Sequence, residues 1–170
     1  MTVLKAETLD CSALSSQLVT MTNIVDVLAR AGLNAYLTFF DGVLARLLMA
    51  VGEPQQARDR LDAALSLARD TGMHFYDAEL LRLRGHTHTD PRAIGADLQA
   101  ALDLAHRQGA HLFELRAALD GFELHGVASH AALAAAVSRM PTDSAMPEVA
   151  RARAALALTN PEAEGINRGI

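Results

Sequence analysis

Two stretches decide the fold: EPQQARDRLDAALSLARDTGMHFYDAELLRL at 53–83 and DPRAIGADLQAALDLAHRQGAHLFELRAALD at 90–120. They align without a gap at an offset of 37 residues, which pairs Pro54 with Pro91 and Gly72 with Gly109. A fixed period of this size is the signature of a repeat protein, in which each repeat is one supersecondary unit. The sequence therefore predicts tandem copies of one structural unit.

Each copy has the pattern of a helical hairpin. It opens on an acidic residue and a proline, and proline suits the first helical position because its missing N–H is not needed there. Gly72 and Gly109 follow where a left-handed residue would end the first helix, and second helices are predicted over about 73–85 and 110–124. Apolar residues recur at helical spacing along one face of each first helix: Ala57, Leu61, Ala64, Leu65 and Ala68, then Ile94, Leu98, Ala101, Leu102 and Ala105.

The flanking segments extend this pattern to four hairpins, predicted at about 12–50, 54–85, 91–125 and 129–158. Ser129 is a candidate helix cap, and Pro147 falls in the first turn of the last predicted helix. One hairpin cannot bury its apolar face alone, so neighbouring hairpins are expected to stack. The predicted fold is all-α, a tetratricopeptide-like α-solenoid forming one domain over 1–158, followed by a flexible tail at 159–170.

Charge and residue usage narrow the function classes. The net charge of −5 is the wrong sign for a domain that binds phosphate backbones, so no direct nucleic-acid partner is expected. Lys5 is the only lysine, which removes a Schiff-base lysine from the body of the chain. Cys11 is the only cysteine, so neither an intrachain disulfide nor a cysteine metal cage can form, and Cys11 is expected to be a buried or idle thiol. A cytoplasmic location fits this usage best.

No targeting or membrane segment is predicted. The N-terminus lacks a basic region followed by an apolar run, which argues against a signal peptide. The most apolar window, 31–51, contains Asn34, Asp41 and Arg46, which are unfavourable in hydrocarbon. We interpret this window as a core helix.

The segments LARDTGMHFYDAELLRLRG (67–85) and AALDLAHRQGAHLFELRAAL (100–119) resemble the C-terminal tetratricopeptide-like region of large bacterial signalling ATPases, among them LuxR-type regulators and adenylate-cyclase fusions. The resemblance covers roughly 28–126 and is carried by packing residues. It implies a sensory or assembly role in bacterial signalling. The phosphate-binding loop, cyclase core and helix-turn-helix of such proteins have no counterpart in the sequence.

The best candidates for partner contact lie on the polar face of each first helix, because that helix commonly lines the concave groove of stacked hairpins. They are Asp62, Ser66 and Arg69 in one copy and Gln99, Asp103 and His106 at equivalent positions in the next. The sequence thus predicts a non-catalytic module that binds another protein or peptide, without cofactor or metal. The high apolar content, with a mean hydropathy of +0.14, also suggests a homodimer.

Three alternatives remain open. The groove could take a small molecule and sense it. His86, His88 and Asp90 could hold a zinc ion, although the sequence lacks a zinc-hydrolase motif, and an inter-hairpin loop with Asp90 as helix cap is the simpler interpretation. The histidines at the predicted loops and turns could act together as a pH sensor.

Glu79 and Arg82, three residues apart, are expected to form an ion pair within one helix.

Overall fold

The computed structural model describes residues 11–159, and every regular element in that range is helical. The helices are α1 (Cys11–Arg30), α2 (Asn34–Ala50), α3 (Pro54–Thr71), α4 (Asp77–Gly85), α5 (Pro91–Gln108), α6 (His111–His125), α7 (His130–Ser138) and α8 (Pro147–Leu158), with a 3₁₀ turn at Gly126–Ser129. The all-α prediction is confirmed. The side chain of Cys11 and the predicted tail beyond Thr159 lie outside the described residues.

The chain divides into two compact units, Met1–Thr87 and His88–Ile170, and the junction falls between the second and third predicted hairpins. In the first unit α2 is central, because it packs against α1, α3 and α4, while α3 also packs against α4. The core of this unit is aliphatic and includes Leu44, Leu61 and Leu80, all at most 2% exposed.

The end of the first unit is tied to α3 by one arginine. The Arg58 side chain donates to both the hydroxyl and the carbonyl oxygen of Thr87, with Nε 3.0 Å from Oγ1. The Thr87 hydroxyl in turn donates to the carbonyl of Arg84 at 2.7 Å. These bonds satisfy the polar groups of Thr87, which is buried.

In the second unit α6 is the central helix, since it packs against α5, α7 and α8. Its core has Leu115, Leu133 and Val149 as its largest fully buried side chains. On the outside, Arg116 of α6 donates through Nε and Nη2 to Glu148 of α8 at 3.0 and 2.6 Å. This pair reinforces the packing of α8.

The matching first helices α3 and α5 have matching boundaries. Each begins at its proline and ends at a glycine in the left-handed region, with φ of 72° at Gly72 and 64° at Gly109. The face predicted to be buried is the buried one in α3, and three of its five counterparts in α5 are also buried. The starts and ends of α3 and α5 are therefore those that proline and glycine predict, whereas stacking into a tetratricopeptide-like solenoid stays a prediction.

The helix starts differ from expectation at two points, Ser129 and the start of α4. Asp90 caps α5 by accepting from the backbone N–H of Arg92 at 3.2 Å, as predicted, but Ser129 makes no capping bond. The helix predicted from about 73 begins only at Asp77, because residues 74–76 form a turn in which the His74 ring bonds the Asp77 carboxylate at 2.8 Å.

Candidate functional site

The three predicted residues of the first unit, Asp62, Ser66 and Arg69, follow one another along α3. Asp62 is exposed and accepts from Nη1 of Arg84 at 2.8 Å, Ser66 is partly buried, and Arg69 is exposed. The groove that the first unit forms between α1 and α3 is lined by other residues of α3. A partner-binding role for these three residues stays a prediction.

The three predicted residues of the second unit lie along α5, and two of them line a groove. Gln99 donates through Nε2 to Asp103 Oδ1 at 2.8 Å. Asp103 and His106 lie on the wall of an open groove of about 320 Å³ between α5 and α7, while Gln99 lines a smaller neighbouring cavity. We call the first of these the α5–α7 groove. Its lining is Leu102, Asp103, His106 and Arg107 of α5, Glu114 of α6, Ala132 and Ala135 of α7, and Arg139 directly after α7.

Glu114 is the central polar group of the α5–α7 groove, although only 4% of the residue is exposed. Its Oε1 lies 3.0 Å from Nδ1 of His106 and accepts from Nη1 of Arg139 at 2.9 Å. Its Oε2 lies 3.7 Å from Nδ1 of His111 and has no hydrogen-bond partner in the described part of the chain. One buried carboxylate thus links groups from α5, from the start of α6 and from the end of α7.

Glu114 is not among the predicted contact residues, yet the sequence carries a signal for it. Both hairpins have glycine, then histidine two residues later, then an acid three residues after that. In the first hairpin the pair is His74 with buried Asp77, and in the second it is His111 with buried Glu114. The repeat of an acid in the first turn of the second helix marks a carboxylate that each hairpin buries.

The groove between α1 and α3 in the first unit has a volume of about 480 Å³. Its apolar wall contains Leu18, Leu44 and Leu48, and its polar wall contains Arg60. Nε of Arg60 lies 3.4 Å from Oδ1 of Asp41, a buried carboxylate of α2. Burial raises the pKa of Asp41 to about 6, and the positive charge of Arg60 opposes this rise only in part. We call this the α1–α3 groove.

Four aromatic side chains of the first unit contact one another, and two of them are exposed. Phe39 packs edge-on against Phe40 and Tyr76, with ring centroids 5.2 and 5.3 Å apart, and Phe75 lies 6.2 Å from Tyr76. We call these four residues the aromatic cluster. Phe39 is 42% exposed and Phe75 54%.

The residues considered for zinc have other partners. The His86 ring lies 3.1 Å from Nη1 of Arg82, and the His88 ring lies 3.1 Å from Oδ2 of Asp97. Asp90 caps α5. Among residues whose side chains are described, no group of three His, Cys, Asp or Glu side chains is arranged to hold a metal ion.

The Glu79–Arg82 pair is formed as predicted, through both carboxylate oxygens at 2.9 Å.

No family model, curated protein or solved structure matches this chain. The likeness to the repeat region of signalling ATPases therefore stays an expectation from the quoted residues. Over residues 11–159, none of the helices combines the length and apolar character needed to cross a membrane.

Proposed function

We propose that this chain is a non-catalytic protein-interaction module, a scaffold or regulatory arm in bacterial signalling or transcription control, that holds a segment of a partner protein. The observation that carries the proposal is the α5–α7 groove, an open trough whose walls include two of the predicted contact residues, Asp103 and His106. The signalling context comes from the resemblance of 67–85 and 100–119 alone. A cytoplasmic location is part of the proposal.

The composition of the groove supports binding over chemistry. Its wall offers arginine, histidine and carboxylate groups that are bonded to one another, beside apolar Leu102 and two alanines. Grooves that hold peptides combine apolar contact with a few polar groups that fix register and specificity. A polar network that joins side chains of α5, α6 and the end of α7 suits that task.

Selection from a displayed random-peptide library on the immobilised full chain tests the proposal. We expect enriched peptides whose binding perturbs backbone amide signals of α5 and α7, and we expect Asp103→Arg to change which peptides are enriched. Asp143→Arg is the matched control, because Asp143 is equally exposed but lies in the segment between α7 and α8. A library that yields no groove-binding peptide contradicts the proposed function.

A ligand-sensing role is the second candidate, and the α1–α3 groove favours it. Its volume of about 480 Å³ falls within the range of small-molecule sites. Native mass spectrometry of the purified chain checks this candidate, since a retained small ligand would add a discrete mass that is lost on denaturation.

We also propose that the chain forms a homodimer through the aromatic cluster. Phenylalanine and tyrosine are enriched at protein interfaces, and Tyr36, one helical turn before the cluster on α2, is 60% exposed. In a two-fold dimer the same patch meets itself, so an apolar patch is complementary to its own copy.

A further inference from the structure

The α5–α7 groove has more unused hydrogen-bond donors than acceptors, and this imbalance defines the chemistry of its partner. We propose that the groove binds an acidic peptide segment, with the carboxylate of an Asp or Glu side chain paired to Arg107 and Arg139. The inference rests on the proposed function and names the partner of the same site.

Most of the acceptors in the groove are already occupied or inaccessible. Oε1 of Glu114 is engaged by His106 and Arg139, and Oε2 is buried from solvent. Oδ1 of Asp103 accepts from Gln99. The second oxygen of Asp103 is the carboxylate oxygen left for a ligand.

The donors are largely unused. Arg107 is exposed and makes no side-chain hydrogen bond or ion pair with the residues that the structure describes. Arg139 uses only Nη1, for Glu114 and for the carbonyl of Ala135, within the same described range. A guanidinium carries five N–H donors in a planar fork that matches a carboxylate. Two arginines with unused N–H groups on one groove therefore favour an anionic ligand.

Glu114 has a positioning role in this arrangement. Because its carboxylate is buried and bonded to both His106 and Arg139, it restricts the motion of two side chains from opposite walls. A restricted guanidinium loses less side-chain entropy on binding than a free one. The apolar lining of Leu102, Ala132 and Ala135 gives an adjacent apolar side chain of the peptide a surface to contact.

Fluorescence anisotropy with defined peptides tests the inference. The probe is a short fluorescein-labelled peptide of alternating glutamate and leucine, compared with versions that carry glutamine or lysine in place of glutamate. We expect the glutamate peptide to bind more tightly than both. Arg107→Gln is expected to weaken its binding by about tenfold, the value of one charged hydrogen bond. Arg92→Gln, an exposed arginine of α5 outside the groove lining, is the matched control.

The outcomes separate this inference from the function on which it rests. Equal or tighter binding of the glutamine or lysine peptide overturns it, and so does binding of the glutamate peptide that Arg107→Gln leaves unchanged. If library selection yields groove-binding peptides that are neutral or basic, the interaction module stands and the acidic partner is wrong. Arg139→Gln is read together with its thermal unfolding curve, because Arg139 also contacts Glu114, whereas Arg107→Gln has no such complication.

Discussion

Five acidic residues are buried in the described part of the chain, and three of them, Asp41, Asp77 and Glu114, are incompletely paired. Each has one carboxylate oxygen without a hydrogen-bond partner among the described residues. Burial of an incompletely paired carboxylate opposes folding. These positions are therefore where single substitutions should show the clearest effects, and two of them adjoin grooves.

Replacing Asp41 by asparagine is expected to stabilise the chain at neutral pH. The rise of its pKa from 3.8 to about 6 corresponds to roughly 3 kcal/mol against the ionised form. Because the folded-state pKa is raised, the stability linked to this proton is present below about pH 4 and is lost as pH rises through about 6.

Urea unfolding of Asp41→Asn and the parent between pH 4 and 7 provides the measurement. The difference in unfolding free energy should grow with pH in favour of the variant. Asp143→Asn, at an exposed position, serves as control. A difference that is constant across this pH range would mean that Asp41 is not penalised by burial.

Glu114→Gln is expected to weaken the second unit. An amide keeps the shape but removes the charge that Arg139 and His106 contact. Charged hydrogen bonds of this kind contribute roughly 1.5–3 kcal/mol each, and part of this loss is offset because the amide does not have to bury a charge. We expect a net destabilisation of about 1–2 kcal/mol, measured by denaturant unfolding. Glu123→Gln is the comparison, because Glu123 is exposed on the same helix; an equal effect at both positions would show that the buried network adds nothing.

At the scale of the helices, glycines inside α2 and α6 behave differently. A methyl group at Gly42 would lie 2.9 Å from the Tyr76 ring and 3.5 Å from Leu80 and Leu83, so Gly42 allows α2 and α4 to approach closely. At Gly121 the same methyl group would meet no atom within 4 Å. The same substitution should therefore have opposite signs in the two helices.

We expect Gly42→Ala to destabilise the chain by about 1 kcal/mol net, since overpacking exceeds the gain in helix propensity. Gly121→Ala should stabilise it by about 0.5–1 kcal/mol through propensity alone. Thermal and urea unfolding followed by circular dichroism measures both. If Gly42→Ala is also stabilising, the contact between α2 and α4 is looser than described.

The sequence predicted some elements well because their determinants are local. Pro54 and Gly72, and Pro91 and Gly109, bracket α3 and α5 in the sequence and in the structure. The start of α4 was missed, since the bond from His74 to Asp77 holds a turn that periodicity does not reveal. Glu114 was missed for a related reason: its partners, His106 and Arg139, come from residues 8 and 25 positions away. The repeated glycine–histidine–acid spacing points to the buried acid but not to these partners.

At the scale of the whole molecule, the aromatic cluster is expected to control association. Phe75→Ser combined with Tyr36→Ser removes two exposed rings without touching the aliphatic core. Sedimentation at several concentrations should show the parent shifting toward dimer and the double variant remaining monomeric. Val127→Ser, an exposed apolar residue in the other unit, is the control. A parent that stays monomeric at all concentrations would contradict the proposed homodimer.

The positions of the two tyrosines also allow the unfolding of the first unit to be followed by itself. The chain has two tyrosines and no tryptophan, and both Tyr36 and Tyr76 belong to the first unit. Tyrosine emission therefore reports on the first unit, whereas far-ultraviolet dichroism reports on the helices of both units. Because each unit has its own apolar core, we expect the two signals to change at different denaturant concentrations. Tyrosine fluorescence can thus follow the unfolding of the first unit without any added label.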